Sequence, residues 1–412
     1  MFNNKINKII IFSFILKFAA IVLLHEKNLS NEWLVLMNNF QEYQSYSYYV
    51  FDGRAIPSSY MPPLYFIFLL LTKIISFELF NYIYLIYFFQ LIFSTISVLL
   101  FYLICKNFLS ENYSILGSFI FSIFPLLVFS CTLISSASLQ LLLYLLFFNL
   151  YLNILIRNST KINFIYLILV SSLCLLLRGE FLIIFLFSLF YLVVCDSKKI
   201  TYVTISLIFS LLIISPYILR NYNNTGKLHI INVSGYALWK GNNQLSKVEG
   251  FGEPLNPAVR YKWPEIEEFN SLYKKLDRIE QNNKYEINRD KIFFNEATRN
   301  IIQEKKKYLI LYLKKFVSYL FLDLNSSNKN YYNFIHTIPV LIFSTLSFPG
   351  MILAVKKSIN REKIYLILMI FLISALLSLF FILPRYKITI IGFQIIFSLY
   401  FIEYVFNKFK RK

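Results

Sequence analysis

Thr201-Tyr-Val-Thr-Ile-Ser-Leu-Ile-Phe-Ser210-Leu-Leu-Ile-Ile-Ser-Pro216-Tyr-Ile-Leu-Arg220-Asn-Tyr222 is the stretch on which the fold turns. It carries no charge before Arg220, and a run of that kind reads as a membrane-spanning helix, since a span needs about 20 apolar residues. At Arg220 the chain turns polar. It passes Gly235-Tyr-Ala-Leu-Trp239-Lys-Gly-Asn-Asn243 and closes on Lys305-Lys-Lys307 before apolar sequence resumes. One large polar insertion in an oily chain marks the working face, and topology decides which face that is.

Working outward, similar apolar runs recur along all 412 residues, of which 57% are hydrophobic and 19% aromatic. The runs do not alternate polar and apolar residues as barrel strands do. The fold class is therefore an all-α polytopic membrane protein, because lipid leaves only helices or closed barrels able to satisfy the backbone. The net charge of +19 does not point to nucleic acid, since the Lys and Arg residues sit in short loops between spans and no basic soluble domain is present. The four cysteines, Cys105, Cys131, Cys174 and Cys195, lie in or beside apolar runs, so no disulfide framework is implied.

About 10 transmembrane helices are expected by the length rule, at 9–24, 82–105, 114–134, 138–156, 163–177, 181–195, 201–219, 335–355, 364–383 and 388–406. Segment 62–78 opens on Pro62-Pro63 and is broken by Lys73 and Glu78; segment 308–322 carries Lys314-Lys315. Both read as interfacial helices. With the N-terminus inside as an uncleaved first span, the loops of Lys106, Arg157/Lys161, Lys198/Lys199 and Lys356-Lys357/Arg361/Lys363, and the tail Lys408-Phe-Lys410-Arg-Lys412, all become cytoplasmic. Loops 25–61 and 220–307 then share the outer face. The chain divides into an N-terminal transmembrane module (1–219), a periplasmic loop with an interfacial helix after the seventh span (220–334), and C-terminal transmembrane helices (335–412). Lys17, midway along the first span, either faces the bundle or snorkels.

The first outer loop holds Asn39, Glu42-Tyr43, Phe51-Asp52-Gly53-Arg54 and Tyr60-Met-Pro62-Pro63-Leu-Tyr65. Its carboxylates suit a general base or a divalent-cation ligand, and equally a merely solvated loop. Arg385 between Pro384 and Tyr386, Arg178 and Arg220 all fall at outer helix ends, where a guanidinium binds phosphate or anchors the helix. His25, His229 and His336 are isolated, so no metal-ligand spacing is recognised.

Taken in order, the first-loop acidic-Tyr element with Pro-Pro-Leu-Tyr65, Arg178-x-Glu-Phe-Leu182, Pro216-Tyr-x-x-Arg220-Asn-Tyr222, Gly235-x-x-Leu-Trp239-x-Gly-Asn-Asn243 and Pro384-Arg385-Tyr386 resemble the GT-C superfamily of integral-membrane glycosyltransferases. The bacterial branch akin to protein O-mannosyltransferases and the lipid A aminoarabinose transferase is the nearest in pattern. The resemblance implies a polyprenyl-phosphate-linked sugar donor, transfer to a lipid, glycan or protein on the periplasmic face of a bacterial inner membrane, and an acid in the first outer loop as base. It puts donor phosphate on Arg385 and Tyr386, with Arg178, Arg220, Trp239, Asn242 and Asn243 lining the cavity.

The chain also departs from that pattern. The usual aspartate four residues before the loop Tyr is Asn39 here, with Glu42 the nearest acid and Asp52 behind it; no acid stands in Ser135-Ser-Ala-Ser138-Leu139. Glu42 as substitute, a different register and a catalytically degenerate relative are the alternatives. An O-antigen polymerase or ligase and a lipid or sugar transporter remain as competing functions.

Overall fold

The computed structural model describes residues 4–77, 79–156, 161–252, 267–326, 333–357 and 360–410. The expectations at Glu78, Arg157, Arg411 and Lys412 lie outside these residues. In chain order come α1 (Asn4–Leu24), α2 (Asn31–Tyr43), a hairpin of β1 (Ser47–Phe51) and β2 (Arg54–Pro57), α3 (Pro63–Ile75), α4 (Tyr82–Cys105), α5 (Glu111–Ile123), α6 (Pro125–Ser130), α7 (Ala137–Ile156), α8 (Lys161–Leu177), α9 (Phe181–Cys195) and α10 (Ile200–Thr225). The polar insertion supplies α11 (Ser234–Gly241), α12 (Glu267–Leu276) and α13 (Tyr285–Gln303). Then follow α14 (Lys305–Leu320), α15 (Phe334–Lys357), α16 (Arg361–Ser378), a 3-10 helix at Pro384–Thr389 and α17 (Ile391–Phe409).

The protein is mostly helical, and five of its described helices are long and apolar enough to cross a membrane: Asn4–Leu24, Tyr82–Cys105, Ala137–Ile156, Ser197–Thr225 and Phe334–Lys357. Helices α3, α8 and α9 are apolar but shorter. The expected continuous span at 114–134 is corrected. Proline fits the first turn of a helix and not its interior, so α5 stops at Ile123 and Pro125 opens the separate, short α6.

Local chemistry sets the other ends. The Asn81 side chain accepts from Ile83 N (3.0 Å) and caps α4, and Gly226, at φ 76°, ends α10. Asp52 and Gly53, at φ 48° and 74°, form the tight turn that an Asp-Gly pair favours in a two-residue hairpin.

Helices α4 and α7 pack together near the middle of the bundle, while α1 and α10 turn most of their surface outward. Lys17 resolves to the inner alternative: it is fully buried and donates to Ser94 O at 2.8 Å. Isolated charge at mid-span costs on the order of 3 kcal/mol, and a carbonyl partner offsets part of that. Helices α15 and α17 touch backbone to backbone at Gly350, where a Cβ would stand 1.9 Å from Phe397 O. Gly350→Leu is expected to lower stability by about 1–3 kcal/mol through overpacking, read as a fall in Tm in detergent. The control Ile352→Leu, on the exposed face of the same helix, is expected to stay within about 0.5 kcal/mol.

Candidate functional site

The irregular segments converge on one end of the bundle, and side chains satisfy their backbone. The Glu26 carboxylate accepts from Ile134 N (2.9 Å), and the Tyr87 hydroxyl lies 2.9 Å from Glu26 N and 3.1 Å from Thr132 O. Gln90 Nε2 donates to the Cys131 and Leu133 carbonyls at 3.2 and 3.1 Å. The residues 131–136 therefore hang from α4 and from Glu26, just past α1, and their buried backbone is satisfied inside the protein.

The long insertion is stitched to the same end. Its helices have a small core of Tyr236, Trp239, Phe269, Leu272, Phe293 and Ala297. At Gly241 a Cβ would meet Phe380 O at 1.9 Å, so glycine allows α11 to press against residues 379–381. Asn242 Nδ2 donates to Leu379 O (2.8 Å), Ile382 N to Val248 O (2.9 Å), and Lys315 Nζ to Gly241 O (2.7 Å). This contact carries Lys240 to a position 4.6 Å over the Phe381 ring.

Around Lys240 stands a constellation drawn from four segments. Burial holds the Lys240 ammonium below its ordinary range, Glu32 of α2 opposes that shift and Arg385 adds to it. Burial raises the Tyr386 hydroxyl, while Arg385 and Arg178 lower it and Glu180 raises it further. Arg385 is exposed and also hydrogen-bonds Tyr386, and Arg178 Nε donates to Gln140 Oε1 at 3.0 Å. Glu32 also acts on Tyr48 and Tyr60, whose rings stack 5.1 Å apart. The arrangement gathers three cations, a phenol beside them, and two carboxylates, Glu180 near Tyr386 and Glu32 near Lys240. Planar guanidinium forks and an ammonium suit oxyanions such as phosphate.

Measured against the expected site, the structure brings Arg178, Arg385 and Tyr386 together and places the others elsewhere. The Trp239 ring does not line a cavity: it is fully buried and donates to Glu268 Oε1 at 3.2 Å. Asn242 and Asn243 are also buried, donating to Leu238 O (2.8 Å) and Trp239 O (3.1 Å), so they hold the turn that presents Lys240. Arg220 Nη2 donates to Tyr46 O at 3.0 Å and Nη1 to Ser58 O, which ties the first loop to α10. Asn39 Nδ2 donates to Ser47 O at 3.0 Å, fastening α2 to the hairpin. Glu42 is exposed and bonded to Tyr43, and Asp52 is exposed at the hairpin tip. Glu32 and Lys240 are the additions. Glu32 lies in the first turn of α2, where an acid suits the helix pole, and that was the available signal.

Among the described residues, no group of three or more His, Cys, Asp or Glu side chains gathers to hold a metal.

No protein-family model and no curated protein matches the chain. Solved structures do. The Archaeoglobus fulgidus oligosaccharyltransferase in complex with Zn and sulfate superposes with a TM-score of 0.54 at 11% identity, covering 97% of this chain and 49% of that one. The archaeal oligosaccharyltransferase AglB from Archaeoglobus fulgidus, in complex with an inhibitory peptide and a dolichol-phosphate, gives 0.53 at 12% identity, covering 97% and 50%. The chain thus shares their fold and spans about half their length.

Glu26→Ala leaves the buried Ile134 N–H without its acceptor and is expected to lower stability by about 1–3 kcal/mol. Glu26→Gln keeps an acceptor oxygen and is expected to recover most of it, both read by Tm.

Proposed function

We propose that this protein is a membrane glycosyltransferase that takes a sugar from a polyprenyl-phosphate donor. The observation that carries the reading is the grouping of Arg178, Lys240, Arg385 and Tyr386 with Glu32 at the loop end of the bundle. The fold shared with a transferase solved with dolichol-phosphate supports it, as do the ordered motifs of the GT-C superfamily; the aminoarabinose- and mannosyl-transferring branch is the finer assignment. The site faces away from the cytoplasm, because the basic short loops lie at the other end of the spans.

In this reading the donor phosphate rests on Arg385 and Lys240, with Arg178 and Tyr386 behind. The acceptor hydroxyl attacks the anomeric carbon, the bond from that carbon to the phosphate oxygen breaks, and polyprenyl phosphate leaves with the electron pair. The hydroxyl proton passes to the Glu32 carboxylate, which replaces Glu42 and Asp52 as the proposed base. A single displacement inverts the anomeric centre. Cations already fixed around the leaving oxygen stabilise its growing charge without reorganising, the usual large term in such catalysis.

Glu32→Gln is expected to lower kcat by about 100- to 10,000-fold, the range for a lost general base, with KM for the donor little changed. Lys240→Gln and Arg385→Gln each remove a charge-assisted bond of about 1.5–3 kcal/mol and are expected to raise donor KM by about 10- to 100-fold. The assay is transfer of radiolabelled sugar from polyprenyl phosphate in membranes expressing each variant. Unchanged transfer in all three would sink this mechanism.

A further inference from the structure

The buried carboxyl of Glu286 takes no part in the proposed chemistry, yet it accepts from three donors, all of them in the first loop. It lies on α13, only 4% exposed, and it reaches a segment more than two hundred residues earlier in the chain. Ser59 N donates to its Oε2 at 2.8 Å, Ser59 Oγ lies 3.4 Å from the same oxygen, and Ser58 Oγ donates to Oε1. Ser58 Oγ in turn accepts from Tyr60 N at 3.1 Å.

From these contacts we propose that Glu286 is a positioning residue, a proton-sensitive clamp that sets how residues 46–60 dock on α13 and so where Tyr48 and Tyr60 stand near Glu32. The clamped strap is tied on both sides: Ser58 N donates to Tyr46 O (2.8 Å), and Asn232 N donates to Ser59 O (3.0 Å). Its catalytic consequence rests on the reading above, whereas the docking itself does not.

Charged and titratable groups from each neighbouring element lie around the carboxyl. From α10, Arg220 favours the ionised form and Tyr217 lies close by. From the first loop, Tyr46, Tyr48 and Tyr49 respond to Glu286. After α10, His229 Nε2 is 2.8 Å from Ser59 Oγ while its Nδ1 faces Lys227 O at 3.0 Å. On α13, Arg289 and Asp290 line the same small cavity as Glu286, together with Tyr49, Tyr60 and Tyr236. The guanidinium of Arg220 is occupied by the Ser58 and Tyr46 carbonyls.

Burial is the largest influence and lifts the Glu286 carboxyl to about 7, against the pull of the Ser58 and Ser59 bonds and of Arg220. The sign follows from linkage. An acid whose docked value is raised binds its proton more tightly when docked, so docking is strongest below the ordinary carboxylate value. It weakens as pH rises toward 7 and is level above.

Hydrogen exchange on the purified full chain in detergent, corrected for intrinsic rates, tests this with no need for activity. The wild type is expected to lose protection over residues 46–60 by up to about tenfold per pH unit between about pH 5 and 7. Glu286→Gln is expected to be flat across that window, and His229→Asn is expected to keep the wild-type slope. A flat wild type overturns the proposal, and so does a slope that Glu286→Gln retains or that His229→Asn abolishes. If Glu286→Gln does not fold, the wild type and His229→Asn still decide. Loss of sugar transfer without these effects would bear on the proposed function alone.

Discussion

Backbone in a membrane must hydrogen-bond within the protein, and this fold depends on that constraint more than on any one contact. Where the chain is helical the demand is met locally. At the loop end it is met by side chains reaching across the bundle. Lys387 Nζ donates to the carbonyls of Tyr319, Leu320 and Phe321 at 3.0, 2.7 and 2.7 Å, closing the C-terminal end of α14. Gln394 adds a bond to Leu320 O at 2.8 Å. Cations at a helix C-terminus also complement its dipole. The segment before α17 is thereby pinned from below, and Arg385, two residues ahead of Lys387, projects from a fixed base.

The same economy explains why so many polar residues that look functional are not at the site. Asn39, Arg220, Asn242 and Asn243 each donate to main-chain carbonyls. An amide or guanidinium in a loop that crosses an apolar bundle is first a partner for backbone. In the proposed reading, Lys240 and Arg385 are the cations left over for the donor phosphate.

Much of the architecture was legible in the sequence because periodic apolar runs and Pro63 at a helix start act through local chemistry, whereas the hairpin turn at Asp52-Gly53 was not expected. Pro125 was nevertheless missed as a break, since an apolar run hides a proline whose effect is to end one helix and begin another. The proposed site was only partly legible. Arg178, Arg385 and Tyr386 were expected in it because they sit at helix ends in short motifs. Glu32 was not among the first-loop candidates, because what marks it is its influence on Lys240, about two hundred residues away in the chain. Trp239 misled for a related reason. Gly241, two residues on, allows α11 to pack against Phe380, where the indole is fully buried and Lys240 lies over Phe381.

The hairpin tip has a practical use. Asp52 and Gly53 stand exposed, away from the constellation's residues in the chain, while Cys105, Cys131 and Cys174 are buried and Cys195 is partly so. A thiol introduced at Asp52 would be the most accessible one among the described residues. A membrane-impermeant maleimide applied to intact cells would then report directly which side of the bilayer the loop end occupies. The turn thus serves as a reporter of sidedness.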